Sequence, residues 1–240
     1  MTSVSFIIPA YNEQEVLGRT LAAITQVAGR LTEGVEVIVV DDASTDRTAD
    51  IARAHGAQVI PVRHRQISAT RNAGARAAQG EWLVFVDADT VVSEALVRAA
   101  LAALRAGAVG GGCSVRFDGP LPDYARPLLA VALPLYRALR LAAGCFVFCT
   151  REAFNAVGGF SEGVYAAEEA LLSVALRRHG RFVMLRESVL TSGRKLRTHS
   201  GGEILGTLLR VAFAGRKALG RREALALWYG ERRADPDSDA

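Results

Sequence analysis

The sequence predicts an α/β protein: a mainly parallel central sheet flanked by helices. Three observations carry that prediction. Short β-rich runs alternate with helical periods four times in about the first 105 residues, as parallel pairing through crossover helices requires. The runs 35–40 and 82–86 are rich in β-branched or apolar residues, the mark of strands buried on both faces. Polar and acidic residues follow the strands, at 9–13, 41–42 and 87–89, where such sheets bind ligands.

The elements follow in chain order. Residues 4–8 form a strand ended by Pro9. Asn12 stands as the cap of the next helix, with Glu15 as its capping-box partner. Val16, Leu17, Thr20, Leu21 and Ile24 give that helix an apolar face. After the strand at 35–40, turn chemistry at 42–46 opens a helix through Ala54. A short strand at 59–62 precedes a helix at 67–78, which Gly80 ends. The strand at 82–86 leads to Ser93, which caps a helix reaching Ala106. Beyond Gly110 the order changes to a strand at 110–117, a Leu/Ala-rich helix at 121–141 and a strand at 145–150. A helix at 168–179, two short strands around Val183 and Val189, and helices at about 203–219 and 222–228 complete the chain. One domain is expected over 1–234, with 235–240 a disordered tail.

Half the residues are hydrophobic, which supports a core and excludes wholesale disorder. The net charge of +4 is uneven: residues 1–176 carry −3 and residues 177–240 carry +7. An anionic partner would therefore be drawn to the C-terminal part. Arginine supplies all cations but Lys195 and Lys217 in an alanine-rich chain; this is a compositional bias, and no nucleic-acid partner is expected. Cys113, Cys145 and Cys149 are an odd count without CxxC spacing. They read as small buried hydrophobes in a reducing, cytoplasmic setting, not as a zinc site. No secretory leader is expected at the N-terminus. The most apolar window, 128–149, contains Pro134, Arg137 and Arg140. Each arginine at mid-bilayer costs about 2.5–3.5 kcal/mol, so a spanning helix is not expected.

No Walker A loop, G-x-S-x-G, H-E-x-x-H or G-x-G-x-x-G fingerprint is present. The chemistry-bearing feature is instead Asp87-Ala88-Asp89, directly after a buried strand. Two carboxylates there suit a hard divalent cation that keeps positions open for substrate phosphates.

Five blocks stand in order: Phe6-Ile7-Ile8-Pro9-Ala10-Tyr11-Asn12-Glu13, Val37-Ile38-Val39-Val40-Asp41-Asp42-Ala43-Ser44-Thr45-Asp46, Ala69-Thr70-Arg71-Asn72-Ala73-Gly74, Phe85-Val86-Asp87-Ala88-Asp89, and Val157-Gly158-Gly159-Phe160-Ser161-Glu162 followed by Glu168-Glu169. Together they resemble the family 2 glycosyltransferases of the GT-A fold, over roughly residues 4–200. The resemblance implies a GT-A, Rossmann-like nucleotide-diphospho-sugar transferase fold. Residues 1–109 would form the nucleotide-sugar half and 110–234 the acceptor-side half.

The resemblance also implies roles. Pro9, Tyr11, Glu13, Asp42 and, less directly, Asp41 would line the base and ribose pocket, where carboxylates accept from hydroxyl or N–H donors. Arg71 would reach the nucleotide or its diphosphate. Asp87 would contact ribose or metal, and Asp89 would ligate Mn²⁺ or Mg²⁺. Arg194 and Lys195 could grip the diphosphate, with His199 a third metal ligand. By position Glu169 would be the catalytic base and Glu168 its neighbour. The family usually ends this pair in Asp, so Glu169 adds one methylene. The implied activity is metal-dependent, inverting transfer of a sugar from a nucleoside-diphosphate donor to a hydroxyl of a glycan, lipid-linked group or small molecule.

Two rival classes are a catalytically silent nucleotide-sugar-binding module and a sugar nucleotidyltransferase. The latter needs a glycine- and basic-rich loop after the first strand, which Pro9-Ala10-Tyr11-Asn12-Glu13 lacks. The 203–219 helix aligns Leu205, Leu208, Leu209, Ala212 and Phe213 with cations nearby. Packing on the protein's own sheet and peripheral contact with the inner membrane face are its two expected fates. The 121–141 segment adds a homodimer contact as a third.

Overall fold

The computed structural model describes residues 3–204 and 206. The elements are β1 (Ser3–Ala10), α1 (Leu17–Ala28), β2 (Gly34–Asp42), α2 (Thr48–Ala54), β3 (Gln58–Val62), α3 (Ile67–Ala77), β4 (Trp82–Val86), β5 (Thr90–Val91) and α4 (Glu94–Arg105). They continue with β6 (Gly110–Phe117), α5 (Ala125–Ala138), β7 (Phe146–Thr150), α6 (Arg151–Ala156), α7 (Glu168–His179), β8 (Phe182–Thr191) and α8 (Arg194–Thr198). The strands form one mixed sheet in the order β3-β2-β1-β4-β7-β6-β8-β5. Strands β1 to β4 are parallel; β7 runs against β4 and β6, β8 runs with β6, and β5 runs against β8.

Alternation along β1 builds a core on each face of the sheet. Val4, Phe6 and Ile8 join Leu21, Ile24, Val97 and Leu101 of α1 and α4. Ile7 joins Ala75 of α3 with Phe85, Phe154 and Phe160. A Cβ on Gly74 would lie 2.4 Å from Ile7 and 2.8 Å from Val40, so glycine is what lets α3 press onto the sheet. That approach delivers Arg71, three residues earlier, to the carboxyl edge of β4.

The expected α/β class, the four initial β-α units and the Ser93 cap all hold; Ser93 accepts from Leu96 N–H at 3.2 Å. Several details differ. Asn12 does not cap α1, which starts behind Val16 without a side-chain cap. Instead Asn12 adopts φ 50°, a conformation asparagine tolerates, and its amide oxygen accepts from Thr45 N–H at 2.8 Å. Glu15 therefore has no capping-box role. The helix at 121–141 contracts to α5, with Arg140 in the left-handed region at φ 51° beyond its end. The two strands at Val183 and Val189 are one strand, β8, whose pairing with β6 is irregular between Gly112 and Ser114. Helices α6 and α8 were not expected; Thr150 caps the former by accepting from Ala153 N–H. The three cysteines are free and buried. The proposed helices at 203–219 and 222–228, the cations near them and the 235–240 tail lie outside the described residues, apart from 203, 204 and 206. No helix among the described residues is long and apolar enough to cross a membrane.

Candidate active site

Arg71 is the structural centre of the site. Helix α3 carries it beneath the sheet edge, where its side chain is 1% exposed. One guanidinium nitrogen, Nη2, donates to Asp87 Oδ1 at 2.7 Å and to Gly144 O at 2.8 Å. The other, Nη1, donates to Glu168 Oε1 at 2.7 Å. The group thus ties the end of β4 to the first turn of α7. Burial disfavours its charge, but Asp87, Glu168 and Glu169 outweigh that and raise its pKa. Its neighbour Asn72 fixes the turn before α7: its amide donates to Phe160 O and Glu162 Oε1, and its oxygen accepts from Phe160 N–H. Gly159, at φ 75°, leaves room for this clasp, since a Cβ there would meet Asn72 Oδ1 at 2.8 Å.

Glu168 and Glu169 have different surroundings. Glu168 is buried and committed to Arg71. Glu169 is half-buried and forms no ion pair among the described residues. Its pKa is pushed up to about 8, first by burial and then by Glu168; Arg71 opposes the rise and Asp87 adds to it. Gly144 keeps this corner open: a Cβ there would lie 3.4 Å from both Arg71 Nη2 and Glu169 Cδ. Ala167, preceding the pair at φ 59°, turns the chain into α7. Asn12, Ala43, Arg65 and Ala167 all border the site with positive φ. Such strain costs on the order of 1–3 kcal/mol per residue and gathers at functional sites.

A cleft of about 680 Å³ opens beyond β2 and β3, lined by Asp41, Ala43, Ser44, Thr45, Pro61, Val62 and Arg63. Asp41 is buried; its Oδ1 accepts from Ser44 N–H at 3.2 Å. Asp42 faces elsewhere. Its Oδ1 accepts from the N–H groups of His64 and Arg65, and its Oδ2 from Thr70 Oγ1. It holds the loop in shape, and Asp41 is the carboxylate at the cleft. Pro9 is buried in β1 opposite Val40. Tyr11 lies beyond that strand with the Arg65 guanidinium 3.6 Å from its ring centroid.

Asp87 and Asp89 stand at the end of β4, the Asp87 side chain 30% exposed. Asp89 Oδ1 accepts from Thr191 Oγ1 at 3.3 Å, tying it to the end of β8. Beyond β8, Gly193 and Arg197 grip Asp118, and Tyr124 donates to the carbonyls of Leu196 and His199. These contacts fold the expected basic loop into α8. Arg194 Nη2 then reaches Glu13 Oε2 at 3.4 Å, joining the C-terminal segment to the loop after β1. Lys195 is exposed. His199 Nδ1 lies 3.1 Å from Lys195 O and from Thr198 Oγ1. No set of three or more His, Cys, Asp or Glu among the described residues is placed to hold a metal ion; His199 does not complete such a set with Asp87 and Asp89.

Sequence reasoning passed over Arg63, Arg65 and Gly144. The two arginines follow β3, so the rule that singled out the carboxylates after the other strands applied equally to them. Gly144 has no local signal, because its neighbours come from α3 and α7.

A mixed sheet whose strands β1 to β4 are parallel, with a cleft beyond β2 and β3 and an arginine-bridged carboxylate set at the end of β4, is an arrangement of the GT-A type. The profile of glycosyl transferase family 2 matches residues 5–158, and the chain belongs to that family. It is 31% identical over 147 residues to validoxylamine A glucosyltransferase from Streptomyces hygroscopicus subsp. jinggangensis, a match covering 57% of this chain and 34% of that protein. It is 39% identical over 94 residues to undecaprenyl-phosphate 4-deoxy-4-formamido-L-arabinose transferase from Serratia proteamaculans, covering 36% and 28% respectively. The matches thus span about a third of these relatives. Among solved structures, the mannosyltransferase PcManGT from Pyrobaculum calidifontis, in complex with GDP-Man and Mn²⁺, shares the fold. The TM-score is 0.66 at 21% identity, over 99% of this chain and 66% of that one. Glucosyl-3-phosphoglycerate synthase from Mycobacterium tuberculosis, with Mn²⁺, UDP and glucosyl-3-phosphoglycerate, gives 0.63 at 20% identity over 97% and 82%.

Proposed function

We propose that this chain transfers a sugar from a nucleoside-diphosphate donor to an acceptor hydroxyl, with inversion at the anomeric carbon. The observation that carries the reading is the Arg71 bridge. It holds Asp87, on the donor side, and Glu168, on the acceptor side, at 2.7 Å each, and leaves Glu169 beside them with no ion pair among the described residues. The nucleotide complexes of structural neighbours support a nucleotide-sugar donor.

The nucleobase enters the cleft at Asp41 against Pro61 and Val62, where the carboxylate accepts a base N–H. Tyr11 and Glu13 border the ribose, and Arg194 turns from Glu13 to the diphosphate as a charge-assisted donor. Asp87 and Asp89 fit a Mn²⁺ or Mg²⁺ ion: both offer hard oxygens at the strand end, and donor phosphates and water would fill the remaining positions. Such an ion, when bound, neutralises charge on the departing diphosphate. The acceptor oxygen attacks the anomeric carbon as the bond to the diphosphate breaks, and its proton passes to Glu169 Oε. Arg71 acts as a positioning residue, fixing Asp87 and Glu168.

A panel of nucleotide-sugars assayed for hydrolysis and transfer, with and without Mn²⁺, tests the reading. Release of nucleoside diphosphate that Glu169→Gln abolishes is expected. Binding without turnover for every donor and acceptor would replace it with a silent binding module.

A further inference from the structure

The exposed large hydrophobic side chains of the described residues gather in one place. Val131 is 70% exposed, Leu135 52%, Leu139 49% and Tyr136 37%, all on α5 or its C-cap; Val174 on α7 is 39% exposed. Val131, Leu135 and Leu139 are spaced by four, which aligns them along one helix face. Arg177, one turn after Val174, donates to Leu139 O at 2.8 Å, and Ala142 N–H donates to Ser173 Oγ at 3.0 Å. Helices α5 and α7 are thereby neighbours. Helix α5 buries only Ala125 fully, and it is anchored through Leu133 and through Arg137 on Leu185 O.

Two cations adjoin the apolar residues: Arg178 stands four residues after Val174, on the same face of α7, and Arg140 follows Leu139. Between residues 123 and 140 there are three arginines and one acid. Arg140 and Arg178 are exposed and form no ion pair among the described residues.

We infer that this face of α5 and α7 docks on an anionic lipid bilayer, the apolar stripe entering the headgroup layer and the arginines meeting lipid phosphates. An apolar helix face edged by cations is the pattern such surfaces bind. A second copy of the chain fits less well. Fourteen residues give a helix face roughly 21 Å long and 10 Å wide, well below the about 800 Å² per partner of a stable interface. Docking would bring the candidate active site to the membrane, because only five residues separate the end of α5 from Gly144, whose carbonyl holds Arg71. The inference does not depend on the transferase reading.

The test is co-sedimentation of the full chain with phosphatidylcholine vesicles, with and without phosphatidylglycerol, at low and high salt. Binding to the anionic vesicles alone, reversed by salt, is expected. Residues 177–240 carry +7, so anionic binding by itself does not single out α5. The triple variant Val131→Asn, Leu135→Asn, Leu139→Asn leaves every charge in place and should bind about tenfold more weakly or worse. Arg140→Gln and Arg178→Gln should weaken binding about fivefold each. Unchanged binding of the apolar triple variant overturns the inference. So does failure of the parent chain to bind either vesicle, whether a second copy or the chain's own residues 207–240 take the face. Circular dichroism checks that each variant folds, and sedimentation equilibrium identifies a dimer that the triple variant dissolves.

Discussion

Replacing Glu169 by Gln should change how stability depends on pH. The carboxyl group is raised from an ordinary 4.5 to about 8, by burial first and by Glu168 second. A carboxyl raised in the folded state stabilises fully below its unfolded pKa, and that contribution is lost as pH rises through the folded pKa. The window is therefore about pH 4.5 to 8. At about 1.36 kcal/mol per pKa unit, the wild type loses up to about 5 kcal/mol across it. Gln keeps the shape and cannot ionise, so the variant should gain on the wild type by that amount between pH 4.5 and 9. Urea denaturation at several pH values measures the gap. A gap that stays flat would show that Glu169 ionises as an ordinary surface acid. The same group sets the activity profile: kcat/KM should climb with pH and level off above about 8, as the base form fills. Glu169→Gln should lose transfer by about 10²–10⁴-fold while still binding donor. Full activity in Glu169→Gln with loss in Glu168→Gln would reverse the roles of the pair.

Four further substitutions probe the rest of the site. Arg71→Ala leaves Asp87 and Glu168 facing each other without their cation and should destabilise by about 3–5 kcal/mol in urea denaturation at pH 7. Asp41→Ala should weaken nucleoside-diphosphate binding by about 10–100-fold in calorimetry, the worth of a charged hydrogen bond. Asp89→Ala should abolish the Mn²⁺-dependent part of that binding, and an unchanged affinity would remove Asp89 from the metal site. Gly74→Ala drives a methyl into Ile7 and Val40 and should cost about 1–3 kcal/mol in stability.

The N-terminal half of the fold was legible because its signals are local. Strands β1, β2 and β4 have apolar runs, and the residues that follow them are polar. The misreadings came where tertiary hydrogen bonds overrule local propensity. Asn12 has the residue type and spacing of a cap, yet Thr45 and Ser44 draw its loop across to the next one. Residues 194–198 carry the composition of a loop, but Asp118 and Tyr124, about 75 residues earlier in the chain, hold them in a helical turn. Similarly, Asp42 and Asp41 are chemically identical neighbours. Only the return of residues 64–70 shows that Asp42 is consumed by the loop and Asp41 is left at the cleft.

The extra methylene at Glu169 takes its meaning from charge. Around Arg71 stand three carboxylates, from Asp87, Glu168 and Glu169, and a single buried guanidinium cannot neutralise three. Asp87 and Glu168 each make a 2.7 Å contact with it. Glu169 is left with a weaker share of that cation, and burial first and the Glu168 carboxylate second hold its proton to a higher pH. A base is most effective when its pKa lies near the working pH, and here that matching comes from burial first and from Glu168 second. A shorter Asp at this position would draw its carboxyl back toward the backbone of α7. The longer Glu brings its carboxyl beside Gly144, where a Cβ would stand 3.4 Å from Glu169 Cδ. Gly144 and Glu169 are thus complementary: enlarging the former to Ala should crowd the carboxyl and lower transfer without weakening nucleotide binding. A Gly144→Ala variant with wild-type transfer would show that the reacting carboxyl lies elsewhere.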